Sequence, residues 1–161
     1  MTTLYGLPPR IDAQTRTLIL GSFPSEASLK AQQYYAHRQN QFWRIVGALL
    51  EQPMFEMAYE ARWPHLHAAG IGVWDVYATC ERAGSLDSDI RLGVANDFAQ
   101  LKTLAPRLER VCFNGQTAAK FQRLLTGMGY EVKVLPSTSP AYTLAFEKKL
   151  DLWRDGVGKS R

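Results

Sequence analysis

Apolar positions along the chain keep two rhythms. Short runs rich in β-branched and aromatic residues occur at Thr17 to Leu20, Ile71 to Thr79, Arg110 to Phe113 and Tyr130 to Leu135, the last interrupted by Glu131 and Lys133. Bounded by turn residues, such runs predict strands. Between them apolar residues recur three and four apart. Glu26 to Tyr35 predicts a short helix; Phe42, Trp43, Ile45, Val46, Leu49 and Leu50 form one face of a second, with Asn40 placed to cap it. A third helix is predicted from Met54 to Ala69, crossing Pro64 and stopping at Gly70. Asn96 or Asp97 begins a fourth that Pro106 closes, QTAAKFQRLLTGMG forms a fifth, and an amphipathic segment through Trp153 a last one.

Strands alternating with helices predict an α/β fold, a three-layer α/β/α sandwich around a four-stranded, mostly parallel sheet. The whole of residues 1–161 is expected to form one domain, with residues 1–15 an extended amino-terminal arm and residues 156–161 a frayed tail. The segments GSFPS, DVYATCERAGSLD, FNG and LPSTSPA each follow a predicted strand. In a parallel sheet they emerge at one edge, where open α/β folds bind ligands. Four loops are thus expected to line one cleft.

Composition narrows the partners. With 46% hydrophobic and 21% charged residues the chain reads as an ordinary globular protein, and its net charge of +4 allows a polyanionic partner. Cys80 and Cys112 lie far apart, too few for a disulfide framework, which suits a reducing cytoplasm. No signal peptide and no apolar run long enough to span a membrane is visible, so a cytoplasmic location is expected.

Five segments in order, GSFPS, QYYAHRQNQFW, GIGVWDVYATCERAGSLDSDI, FNG and LPSTSPA, resemble the uracil-DNA glycosylase superfamily and most closely its hypoxanthine-DNA (deoxyinosine) glycosylase branch. The resemblance covers Leu7 to Trp153. It implies an enzyme that extrudes a damaged base from DNA and cuts its N-glycosidic bond through an oxocarbenium-like sugar. It implies DNA containing a deaminated base as partner, a monomer, and no metal or organic cofactor.

By resemblance, Gly21, Ser22 and Pro24 belong to the water-activating loop, whose third position usually carries Asp or Asn; here it is Phe23, which can only wall the pocket. The branch assigns the water-activating task to Asn40, which would position the water or contact the base; the alternative is that Asn40 merely caps its helix. Tyr35 aligns with the residue that stacks on the flipped base. Asp75 falls where the superfamily reads the base, its carboxylate able to accept the N1–H of hypoxanthine, and capping its own loop is an equal alternative. Asn114 is either a pocket residue or the turn residue of Asn-Gly. LPSTSPA resembles the second superfamily motif with Leu135 at its polar position; Ser137, Thr138 and Ser139, at the start of the last helix, are expected to hold phosphates together with Arg38 and His37. Pro140 or Tyr142 would then supply the wedge.

Other candidates are weaker. GSLDSD has too few carboxylates for a calcium loop, and His65 and His67 lack a third ligand. Arg44, Arg82 and Arg91 sit near the cleft loops, where phosphate contact is one use and a solvated surface the commoner one. Lys30 and Lys120 read as surface residues, so no lyase step is expected. The expected function is a monofunctional glycosylase for hypoxanthine. The alternatives are a uracil- or mismatch-specific glycosylase, a catalytically silent lesion-binding module suggested by Phe23 and Leu135, and a flavodoxin-like nucleotide binder.

Overall fold

The computed structural model describes residues 2–158. In chain order its elements are β1 (Leu4–Tyr5), β2 (Thr17–Gly21), α1 (Glu26–Ala31), α2 (Phe42–Leu50), α3 (Tyr59–Ala68), β3 (Ile71–Asp75), β4 (Tyr77–Glu81) and β5 (Arg91–Ala95). There follow α4 (Leu101–Leu104), β6 (Arg110–Asn114), α5 (Gln116–Ala119), α6 (Gln122–Gly127), β7 (Glu131–Leu135) and α7 (Phe146–Val157). Short 3-10 turns occupy Met54–Glu56, Asp87–Asp89 and Phe98–Gln100.

The expected parallel sheet is present with strand order β3-β2-β6-β7. β2, β3 and β6 are apolar on both faces because helices cover both, while the edge strand β7 exposes Glu131, Lys133 and Val134. Ile19, Val73, Cys112 and Leu135 belong to the core shared with Phe42, Ile45, Trp63 and Trp153 of the helices. Leu18, Leu20, Trp74 and Phe113 belong to the opposite core with Leu101, Ala118 and Leu125. Register aligns the carboxyl ends, pairing Gly21 with Asp75 and Asn114 with Leu135. The loops that follow therefore share one edge.

A second sheet, absent from the sequence expectation, corrects two predicted elements. Ile71 to Thr79 is two strands, not one: at Val76 the chain leaves the parallel sheet, its N–H donating to the Gly21 carbonyl and its own carbonyl accepting from Asn96 N–H. The segment read as the loop CERAGSLDSDIRLG holds the end of β4 and most of β5, which pair antiparallel in the order β1-β4-β5. The amino-terminal arm is accordingly fastened, through β1 and through the Arg10 N–H to the Val73 carbonyl.

Four further boundaries differ. The helix expected to Tyr35 stops at Ala31, because Gln32 takes a left-handed conformation and its N–H caps onto the Ser28 carbonyl. The helix expected from Met54 is a 3-10 turn followed by α3, which keeps Pro64 inside it. QTAAKFQRLLTGMG forms two short helices broken near Phe121. Of the expected frayed tail, Gly156 and Val157 are helical and buried, and residues 159–161 lie outside the described residues.

Cys80 and Cys112 are free and buried, and burial pushes the Cys112 thiol up to about 12. Among the described residues no helix is long and apolar enough to cross a membrane.

Candidate active site

A pocket of about 350 Å³ opens at the carboxyl edge of the parallel sheet, within the range of small-ligand sites. Its wall includes Gly21, Ser22, Phe23, Pro24, Tyr35, His37, Asn40, Asp75, Asn114, Ser137, Thr138 and Ser139. Of the residues named from the sequence for the base, the water loop or phosphate, Arg38, Arg44, Arg82 and Arg91 are missing from this wall, and Arg38 is exposed. Phe42 and Trp43 are core residues, as their apolar spacing suggested, and Tyr34 belongs to the same core while also lining the pocket.

Tyr35 is built into the wall from three directions. Its backbone is left-handed at φ 54°, a conformation costly for an aromatic residue. Its ring stacks on Phe42 with centroids 4.0 Å apart and planes 16° apart. Its hydroxyl accepts a hydrogen bond from Asn114 Nδ2 at 3.1 Å, and burial raises its pKa. With one face on Phe42, the opposite face is the one left for a stacked ligand.

Asn114 is wholly committed to structure. Nδ2 donates to the Tyr35 hydroxyl and to Thr138 Oγ1 at 3.0 Å, and Oδ1 accepts the Thr138 N–H at 2.9 Å. It clamps the loop after β7 to the end of β6. The turn beyond it needs Gly115, whose φ is 97° and whose N–H donates to the Leu135 carbonyl.

Asp75 differs. The residue is 5% exposed, its carbonyl accepts from Asn96 Nδ2, and its own Oδ2 is buried with no hydrogen-bond partner among the described residues. Burial, and then the nearby Asp87 carboxylate, push its pKa up to about 7, against a smaller opposing pull from Arg82. The loop-capping alternative has no hydrogen bond to carry it at Oδ2. Gly21 permits a close approach here: a Cβ on it would lie 2.6 Å from Asp75 Oδ1 and 2.8 Å from the Tyr35 hydroxyl, so both side chains would have to shift.

Asn40 lies one residue before Gln41, the N-cap of α2. Its Oδ1 accepts the Phe42 N–H at 2.9 Å, tying the first turn of α2, while the residue lines the pocket. The amide NH₂ remains available. Phe23 is a buried wall residue with the Arg82 guanidinium carbon 5.3 Å from its ring centroid.

Arg82 corrects its reading as a phosphate or surface residue. It is 5% exposed and donates to the carbonyls of Pro24, at 2.6 Å, and Gly84, at 2.8 Å. The placement of Ser137, Thr138 and Ser139 at a helix start is also corrected, since α7 begins only at Phe146. Two of their N–H groups are bonded internally, Thr138 to Asn114 Oδ1 and Ser139 to Ser137 Oγ at 3.1 Å. Leu135 is buried in the core.

Several contributors escaped sequence reasoning. Ser28 Oγ accepts the Ala36 N–H, and Ser22 Oγ donates to Asp87 Oδ1 at 2.6 Å, binding the loop before β5 to the loop after β2. Lys149, 1% exposed, donates to the Tyr142 carbonyl at 2.7 Å. Its signal was present: it lies on the apolar stripe of α7 between Phe146 and Leu150. Among the described residues no group of three or more His, Cys, Asp or Glu side chains is placed to hold a metal ion.

Known proteins are similar to this chain over most of its length. A hypoxanthine DNA glycosylase of Methanosarcina acetivorans is 47% identical over 136 residues, covering 84% of this chain and 86% of its own. One of Methanosarcina barkeri is 37% identical over 150 residues, covering 93% and 95%. The solution NMR structure of a candidate uracil DNA glycosylase from Methanosarcina acetivorans superposes with a TM-score of 0.87 at 42% identity, covering 96% of each chain. The family model of the uracil DNA glycosylase superfamily matches residues 8–155, and the chain belongs to that superfamily.

Proposed function

We propose that this protein is a monofunctional DNA glycosylase that removes hypoxanthine from deoxyinosine in DNA, leaving an abasic site, and that it acts as an intracellular monomer. The relatives named as hypoxanthine DNA glycosylases support the substrate. The observation that carries the chemistry is the buried, unpaired carboxyl of Asp75 in an aromatic-walled pocket.

A buried polar atom without a partner is costly, and a ligand that supplies the partner recovers that cost. With its pKa raised to about 7, Asp75 is a neutral acid over much of the range below that pH. A neutral carboxyl both accepts and donates, so it matches the lactam edge of hypoxanthine: its carbonyl oxygen takes N1–H and its O–H reaches O6. The second bond strengthens as the glycosidic electron pair moves onto the departing base. A carboxylate there would oppose that charge, so the neutral form is the active one.

Tyr35 stacks on the extruded base with the face that Phe42 leaves open. Asn40, its Oδ1 held by Phe42 N–H, offers its NH₂ to orient the attacking water; an amide supplies no strong base, so acceleration comes from leaving-group and sugar stabilisation. Ser137, Ser139 and His37 at the rim, with Arg38 outside it, meet the phosphates of the extruded nucleotide.

End-labelled duplexes carrying one deoxyinosine, one uracil or neither, treated with alkali after incubation, test the proposal, with Asn40→Ala as control. Cleavage at deoxyinosine that the control loses is expected. Cleavage mainly at uracil, whose N3–H and O4 present the same edge, would move the specificity. Tight binding without cleavage would leave a lesion-binding protein.

A further inference from the structure

The loop of residues 82–90 joins β4 to β5 and is held to the segment after β2, residues 136–145 follow β7, and both segments contribute to the pocket wall. Each presents one large exposed side chain at the pocket rim, Leu86 at 52% exposure and Tyr142 at 48%. A lone exposed leucine is ordinary on any surface. Leu86 is set apart by how its neighbours are held.

Ser85 Oγ accepts the Glu26 N–H at 3.0 Å, and Asp87 Oδ1 accepts the Ser22 hydroxyl at 2.6 Å. The Leu86 carbonyl accepts the Asp89 N–H at 3.0 Å. Behind them the buried Arg82 fastens the base of the loop to the Pro24 carbonyl. Both residues flanking Leu86 are thus stapled to the segment after β2, so the side chain is projected from a fixed backbone. Tyr142 is braced in the same way by buried Lys149.

We propose that Leu86 is an insertion residue that enters the duplex beside the extruded nucleotide from the β4–β5 side, so that with Tyr142 the stack is held open from two sides. This rests on the reading of the protein as a DNA glycosylase. An apolar wedge on a rigid loop offsets the unstacking that base extrusion requires, and a flexible one would lose part of that gain in ordering itself. Single-stranded DNA has no opposing stack to hold open. The contribution of Leu86 is therefore confined to duplex substrates.

The test compares wild type, Leu86→Ala and Leu86→Phe on deoxyinosine in duplex and in single-stranded DNA. Leu86→Ala is expected to lower duplex excision by about tenfold or more while leaving single-strand excision and thermal stability unchanged, and Leu86→Phe to restore the duplex rate. Equal losses on both substrates, or no loss on either, would overturn the proposal. A second measurement is independent of chemistry: fluorescence of 2-aminopurine placed next to a tetrahydrofuran abasic analogue in duplex DNA. Wild type should enhance it and Leu86→Ala should not. If excision fails entirely but this enhancement persists, the glycosylase assignment falls and the insertion role stands; the same enhancement in both proteins removes the insertion role.

Discussion

Asp75 and Asn114 end β3 and β6, the two strands that flank β2, and both are buried in the wall of one pocket. Asn114 engages both its amide atoms with Thr138 and Tyr35. Asp75 keeps Oδ2 buried and unpaired beside a second carboxylate. The two are alike in type of position and opposite in what they leave available. The polar groups of Asn114 hold the site together, whereas Asp75 keeps an unsatisfied oxygen in the pocket wall, and it is there that we propose the base is read.

Substituting each in turn sharpens this contrast most. Asp75→Ala should lower excision of deoxyinosine about 100-fold while stability, read by thermal melting, is unchanged or raised, since an unpaired buried carboxyl is removed. Asn114→Ala should cost about 2–3 kcal/mol of stability, because Thr138 and Tyr35 lose buried partners. Activity would then fall as a consequence of the displaced loop. Equal destabilisation by the two substitutions would break the contrast.

Asn40 stands between them, with one amide atom committed and one free. Asn40→Ser keeps an acceptor for the Phe42 N–H and deletes the NH₂. Stability should stay within about 0.5 kcal/mol, with turnover reduced about tenfold or more and substrate binding by fluorescence anisotropy retained. If turnover survives, Asn40 is a helix cap alone.

A smaller effect comes from the titration of Asp75. Its pKa in the folded protein is raised from 3.8 to about 7, so the folded state binds more protons than the unfolded state between those values. Its contribution is fully present below the lower value and is lost as pH rises through the upper one. The melting temperature of Asp75→Asn relative to wild type should therefore rise from pH 4 to pH 7 and level off above. A constant difference across that range would place the ordinary carboxylate pKa on Asp75.

The parallel sheet, its carboxyl-edge cleft and much of the wall were legible in the sequence, because β2, β3 and β6 carry dense apolar runs, β7 alternates, and all four end in the named loops. The second sheet was not. Ile71 to Thr79 is a continuous run with no mark at Val76, where the chain changes sheets, and every residue of β5 is exposed, so no inward-outward alternation announces it. The state of each polar residue was also hidden, since Asn114 as a clamp and Asp75 as a free acid differ by groups that lie outside their own segments, at Tyr35 and Thr138 for Asn114 and at Asp87 for Asp75. Leu86 and the residues that staple its neighbours were invisible for the same reason.

The most direct test of the central claim is the pH profile of single-turnover deoxyinosine excision by wild type and Asp75→Asn. The amide of the variant imitates the neutral acid, accepting N1–H through its oxygen and donating to O6 through its nitrogen, but it does not titrate. Wild-type activity should fall as pH rises above about 7, while the variant keeps substantial activity that stays level across the same range. A wild-type rate that climbs through that pH, or a variant as inactive as Asp75→Ala, would mean that the ionised carboxylate is the working form and would contradict the account.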